Sequence, residues 1–201
     1  MCSNSKALDE KPKASSLVFL GDESQGGSYI LRIHLAETAA LSFGGFKRGE
    51  TIELPAGEYT YVGSAMAKRG AASLANRLVR HATRSGGKEP HKFRGEMFSR
   101  FKSVGLGNRN LKPARNKNLH WNIDHLLDLP AAELTGACIL RTPECLEARL
   151  GQFLECDPHT VVVEKGLGAN DVPGNTHLLR LSGGAAWWSS LPGRLSVEFD
   201  I

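Results

Sequence analysis

The chain has 201 residues, enough for one domain with a core of its own, and its hydrophobic share of 41% is ordinary for a globular fold. The formal net charge is only +4, and no apolar run approaches the ~18 residues of a membrane span. Membrane insertion is therefore not expected, and the polar residues 1–16 lack the apolar core of a signal peptide. The expectation is a cytoplasmic protein. Residues 1–24 read as an N-terminal tail outside the folded domain, which is expected over 25–181.

Within that domain, Ser28 to Leu35 is dense in β-branched and aromatic residues and predicts a strand. Thr38 to Gly49 is a Gly-rich connection. Glu50 to Leu54 alternates polar and apolar residues, as a half-buried strand does. Pro55-Ala56-Gly57 has turn chemistry, and Glu58 to Gly63 returns as a third strand. Together these three segments predict a small antiparallel sheet. Ala71 to Arg84 carries Leu74 and Leu78 at helical spacing and stops at Gly86-Gly87. Leu119 to Leu129 reads as a helix halted by Pro130.

Beyond it, Glu133 to Leu140 predicts a strand. Thr142-Pro143-Glu144 has the composition of a helix start, with a capping threonine, proline at the first position and an acid in the first turn. His159 to Glu164 and His177 to Leu181 are further strands. Residues 182–201, with Trp187 and Trp188, form a C-terminal extension, read as an appended strand or hairpin. The fold class expected is α+β, a small antiparallel sheet flanked by helices.

Charge is distributed unevenly. Residues 84–117 hold ten basic residues, Arg84, Lys88, Lys92, Arg94, Arg100, Lys102, Arg109, Lys112, Arg115 and Lys117, against Glu89 and Glu96. The rest of the chain is net acidic. Such a segment suits a polyanion, and it equally suits a solvated basic loop. Met97, Phe98 and Phe101 could form one short amphipathic turn within it. The stretch 85–118 reads as a basic insertion.

The chemistry-bearing residues cluster earlier. Tyr59 and Tyr61 share one face of a strand that ends at Gly63, and Arg77 and His81 are one turn apart on the helix that follows. Hydrolysis of a phosphodiester needs a group that activates water, a cation on the phosphoryl oxygens and a metal or its equivalent. Tyrosine, arginine and a downstream acid can supply those parts. Each also has a plain structural reading: tyrosines fill sheet faces, arginines solvate helices, His81 can cover a helix end, and Glu144 can serve the helix dipole.

His120 and Asp124, at i and i+4, are either a metal-linked pair or a surface pair. Trp121 reads as core. Gly166-Leu167-Gly168 lacks the third glycine and the helix of a dinucleotide fingerprint, so no nucleotide cofactor is expected. Asp171 and His177 read as turn and strand-end residues. The cysteines Cys2, Cys138, Cys145 and Cys156 contain no CxxC pair and read as reduced, mostly buried thiols.

Gly27-Ser28-Tyr29 and Tyr61-Val62-Gly63, joined by Arg77 and His81, resemble the two name-giving motifs and the first helix of the GIY-YIG endonucleases. A closer likeness is to a small, largely uncharacterised branch of that superfamily. It rests on Pro55 to Ala65, Arg77 to His81, His120-Trp121-Asn122-Ile123-Asp124, and Gly166 to Asp171 with His177-Leu178. Two departures stand out: Asn122 replaces a histidine common in the branch, and Val172-Pro173-Gly174 lies where cysteines often occur.

The resemblance implies a metal-dependent endonuclease, with a possible alternative as a nucleic-acid-binding module that does not cut. It implies that Tyr61 helps activate water, with Tyr29 as its partner, and that Arg77 stabilises phosphate charge beside His81. A glutamate, assigned to Glu144, would hold one Mg2+ or Mn2+. The expected partner is nucleic acid, DNA rather than RNA, in a setting such as repair. Arg80, Lys68, Arg69, Lys92, Arg94, Arg100 and Lys102 are the expected contacts to it.

Overall fold

The computed structural model describes residues 16–113, 117–168 and 176–201. Asp171, Val172-Pro173-Gly174 and Arg115 lie outside the described residues. The architecture is α+β, as expected: a mostly antiparallel sheet with helices on both faces. Strand β1 (Leu17–Gly21) sits at one edge beside β6 (Ala132–Arg141). The order continues through β2 (Gly27–Leu35), β5 (Gly57–Ala65) and β8 (Leu178–Leu181) to β7 (Thr160–Val162). β1 and β6 run parallel; every other neighbouring pair is antiparallel.

The two-residue period of a strand divides the core. Tyr29, Leu31, Ile33 and Leu35 of β2 point to one face, with Tyr59 and Tyr61 of β5. That face is covered by α1 (Leu74–His81), α2 (Phe93–Ser103) and α3 (Asn122–Leu127). Ile30, Val62, Cys138 and Leu140 point to the other face. There α4 (Glu147–Glu155) brings Leu150 and Leu154, and α5 (Gly184–Phe199) brings Trp187, Trp188, Leu191 and Leu195.

Several expectations change. The tail assigned to 1–24 already contains β1, whose Leu17 is fully buried and whose register runs from Leu17↔Ala137 to Gly21↔Arg141. Glu50–Leu54 does form a strand, β4 (Thr51–Leu54), but it pairs with β3 (Ala39–Ser42) in a separate ribbon rather than in the main sheet. Residues 182–201 are neither strand nor hairpin. They form α5, because Trp187, Trp188, Leu191, Leu195 and Phe199 fall on one helical stripe that the second face needs covered.

The basic stretch 85–118 is not solvated loop throughout, since Phe93–Ser103 within it form α2. Phe93, Met97 and Phe101, each four residues apart, carry α2 onto the first core, and the Phe101 ring meets Phe19 of β1 edge-on at 6.1 Å. Some of its charge is internal: His91 and Lys117 are buried, as is Arg84 just ahead of it. His91 acts as a staple, accepting the Leu134 N–H at 3.0 Å through Nδ1, with Nε2 2.9 Å from the Leu127 carbonyl.

The helix expected from Thr142 begins only at Glu147. The Thr142 hydroxyl accepts the Glu144 N–H at 3.2 Å, a local turn that competes with helix. The Leu146 N–H is taken by Ser28 Oγ at 3.0 Å.

Candidate active site

The site lies where β2 and β5 reach one end of the sheet. Tyr29 stands directly across from Gly63. A Cβ at Gly63 would come within 2.5 Å of the Tyr29 ring and hydroxyl. Glycine is therefore the residue that lets the Tyr29 ring lie across β5. Its hydroxyl reaches 2.8 Å from Nε2 of His81 in the last turn of α1. Tyr61, also on β5, meets the His81 ring edge-on at 6.2 Å. Arg77, one turn earlier in α1, lies over the Trp121 ring at 4.0 Å, and its Nε is buried without a hydrogen-bond partner.

A cavity of about 230 Å3 opens here, lined by Tyr61, Ser64, Arg77, Trp121 and Glu147 among others. Glu147 is the first residue of α4 and comes round the sheet end from the second face. One of its carboxylate oxygens accepts the Ser64 hydroxyl; the other is 3.0 Å from His177 Nδ1.

Behind Tyr29 lies a buried charged cluster. Asp124 of α3 is fully buried. Its Oδ2 accepts the backbone N–H groups of His120 at 3.0 Å and Trp121 at 3.1 Å, and lies 3.3 Å from Arg80. Its Oδ1 is 3.2 Å from the Lys117 ammonium and 3.7 Å from His81 Nδ1.

These surroundings set the protonation states. Burial, with the Tyr61 phenol adding to it, pushes the Tyr29 phenol well above its ordinary range. Burial pushes the His81 imidazole down, against the opposing pull of Asp124. Burial alone would raise Asp124, but its contact with His81, the Lys117 charge and the His120 N–H outweigh burial and hold it below the usual carboxylate range. Glu147 follows the same pattern: burial raises it, while His177, the Ser64 hydroxyl and Arg77 outweigh burial and lower it. Near neutral pH the site thus holds two carboxylates, a protonated phenol and a neutral imidazole.

The structure brings together Tyr29, Tyr61, Arg77 and His81. It does not bring Glu144. That side chain is 65% exposed and faces Arg149 at 3.7 Å; the carboxylate in the cavity is Glu147, three residues on. Arg80 is also committed elsewhere: it donates to the Asn118 carbonyl, approaches Asp124 and lies over Trp121 at 5.0 Å.

Lys68 and Arg69 are exposed just beyond Met66 and Ala67 of the cavity wall. Lys92 lies at the far end of the sheet, in a larger cavity of about 760 Å3 with Arg32, Glu58 and Trp188. Arg94 is half-buried, 3.4 Å from the Thr83 hydroxyl. Arg100 is exposed with its guanidinium 5.9 Å from the Phe19 ring, and Lys102 is exposed in the last turn of α2.

Sequence reasoning missed Glu147 and Lys117, and it paired Asp124 with His120, which contributes only its backbone N–H to that carboxylate. Asn122 donates to the Gly168 carbonyl at 2.8 Å and ties the loop before His177 to α3. Of the thiols, Cys138 is buried and pushed up to about 12 by that burial, whereas Cys145 and Cys156 are exposed. Cys145 touches the Ser64 hydroxyl at 3.5 Å.

Among the described residues, no group of three or more His, Cys, Asp or Glu side chains could hold a metal ion, and no helix is long and apolar enough to cross a membrane.

Fold and site together define an α+β protein whose sheet end carries a small polar cavity backed by buried charge. The chain belongs to the family described as domain of unknown function DUF123, whose model matches residues 28–189. No curated protein and no solved structure matches it.

Proposed function

We propose that the protein is an endonuclease that hydrolyses phosphodiester bonds in nucleic acid, DNA foremost, with the help of a divalent cation. The observation that carries this reading is the convergence of Tyr61, Arg77 and Glu147 on one cavity. At about 230 Å3 the cavity matches seven or eight waters at ~30 Å3 each, room for a diester group and its solvent.

Arg77 is the phosphate ligand in this scheme. Its guanidinium lies over the Trp121 ring, and its buried Nε has no protein partner to release. Such a preorganised donor acts on charge that develops in the transition state. Tyr61, which lines the cavity, orients the attacking water through its hydroxyl. Glu147 fits a cation that keeps most of its water: it is a single ionised carboxylate, oriented by His177. Magnesium or manganese bound there would polarise a phosphoryl oxygen as a Lewis acid.

The test is conversion of supercoiled plasmid to the nicked form with Mg2+ or Mn2+. Native protein and Glu144→Gln nick; Tyr61→Phe, Arg77→Ala and Glu147→Gln lose most activity. Native protein that binds plasmid yet never nicks it with either cation would overturn the hydrolase reading in favour of a binding module.

A further inference from the structure

We propose that Asp124 is a positioning residue that acts through His81: anchored by Lys117, it holds the imidazole proton on Nδ1, so that Nε2 is the acceptor for the Tyr29 hydroxyl. The kinetic consequence rests on the hydrolase reading; the assignment of the proton does not.

Two complementary atoms point to this role. His81 Nδ1 and Asp124 Oδ1 are both buried, neither makes a hydrogen bond, and they face each other across 3.7 Å. A shift of about 0.7 Å would close an N–H···O bond of ordinary length. On the other side of the ring, Nε2 is already 2.8 Å from the Tyr29 hydroxyl. Among the described residues Nε2 is the hydrogen-bond partner of the Tyr29 hydroxyl, so a phenol that keeps its proton donates it there; Nε2 then offers its lone pair and the ring proton lies on Nδ1, towards Asp124.

The groups around His81 fix its charge as well. Tyr29 on β2 is a neutral phenol, and the Tyr61 ring on β5 meets the imidazole edge-on. Arg77 on α1 and Lys117 ahead of α3 are cations, and Asp124 on α3 is the anion. Arg80 on α1 is spent on Asp124. Two cations against one carboxylate, together with burial, keep the ring neutral. Asp124 therefore selects a tautomer more than it creates a charge. Lys117, whose side chain is fully buried like that of Asp124, keeps the carboxylate ionised for that task.

This gives the Tyr29 proton an internal acceptor, and any imidazolium formed would be stabilised by Asp124. The arrangement follows the general logic of a carboxylate orienting a histidine.

The test uses full-length protein labelled with 15N-histidine. At pH 7 the ring nitrogens of His81 should report a proton on Nδ1 and a bare, hydrogen-bonded Nε2. Asp124→Asn should move the proton towards Nε2 and lower the nicking kcat by about 100-fold, with KM within a few-fold of native. Tyr29→Phe, which preserves the packing, should leave the proton on Nδ1.

If Asp124→Asn does not fold with Lys117 uncompensated, the pair Asp124→Asn with Lys117→Met removes both charges and should show the same tautomer change. A native His81 protonated at Nε2, or a tautomer unchanged without Asp124, would overturn the proposal. These readouts need no substrate, so native protein that never nicks would sink the hydrolase reading and leave this assignment standing.

Discussion

The two faces of the sheet are covered by three helices and by two, and they do different things. The α4/α5 face is filled by Ile30, Val62, Cys138, Leu140, Leu191 and Leu195, with two tryptophans. Its buried carboxylate, Asp157, is satisfied by the Trp187 indole at 2.9 Å, the His159 N–H at 2.8 Å and Arg194. The α1/α3 face buries a phenol, an imidazole, an ammonium and a carboxylate side by side, and Asp124 Oδ1 and His81 Nδ1 lack hydrogen bonds. Asp157 is closed off by fixed partners, whereas Asp124 Oδ1 has an ion-pair contact to Lys117 and an open hydrogen-bond position towards His81, the kind of arrangement that clusters at functional sites. Glu147 joins the two, since its helix packs on the quiet face while its side chain serves the other.

That contrast can be broken most forcefully at Leu195. Leu195→Ala should cost about 2–5 kcal/mol of stability in urea unfolding, with nicking per folded molecule unchanged. Arg77→Ala should do the reverse: a loss of about 100-fold or more in nicking with little change in Tm. If Arg77→Ala melted the protein as Leu195→Ala does, the division of labour would fail.

Acid comes next. His91 in the fold stays neutral down to about pH 4 because burial, and then the Arg84 charge, disfavour its proton. Unfolded histidine titrates near 6.5, so between these values the unfolded chain binds more protons. Stability therefore falls as pH drops from 6.5 to 4. The depressed carboxylates Asp124 and Glu147 extend the loss below that. A Tm flat from pH 7 to 4 would contradict these burial assignments.

Gly63→Ala should cost about 1–3 kcal/mol by overpacking and lengthen the Tyr29–His81 contact, visible in the His81 Nε2 resonance. The smallest effect is expected at Glu144. Glu144→Gln should stay within about 0.5 kcal/mol of native and nick normally, which sharpens the choice between two acids three residues apart.

Much of the sheet was legible because its signals are local. The β-branched and aromatic density of β2, the alternation in β4 and the turn at Pro55-Ala56-Gly57 needed no partner to be read. β1 was lost because a short apolar run behind a polar leader gains meaning only from its parallel pairing with β6, more than a hundred residues away. α2 was obscured by its charges, although Phe93, Met97 and Phe101 recur every four residues. α5 was obscured by Gly184, Pro192 and Gly193, which argue against a helix until the face it covers is known.

Tyr29, Tyr61, Arg77 and His81 could be nominated from the chain alone, because strand alternation and helical pitch already set which side chains share a face. Which acid meets Arg77, and which carboxylate stands behind His81, were decided only in three dimensions. Those answers depend on where α4 starts against Ser28 and how α3 is laid against α1, contacts between residues far apart in the chain that no local periodicity encodes.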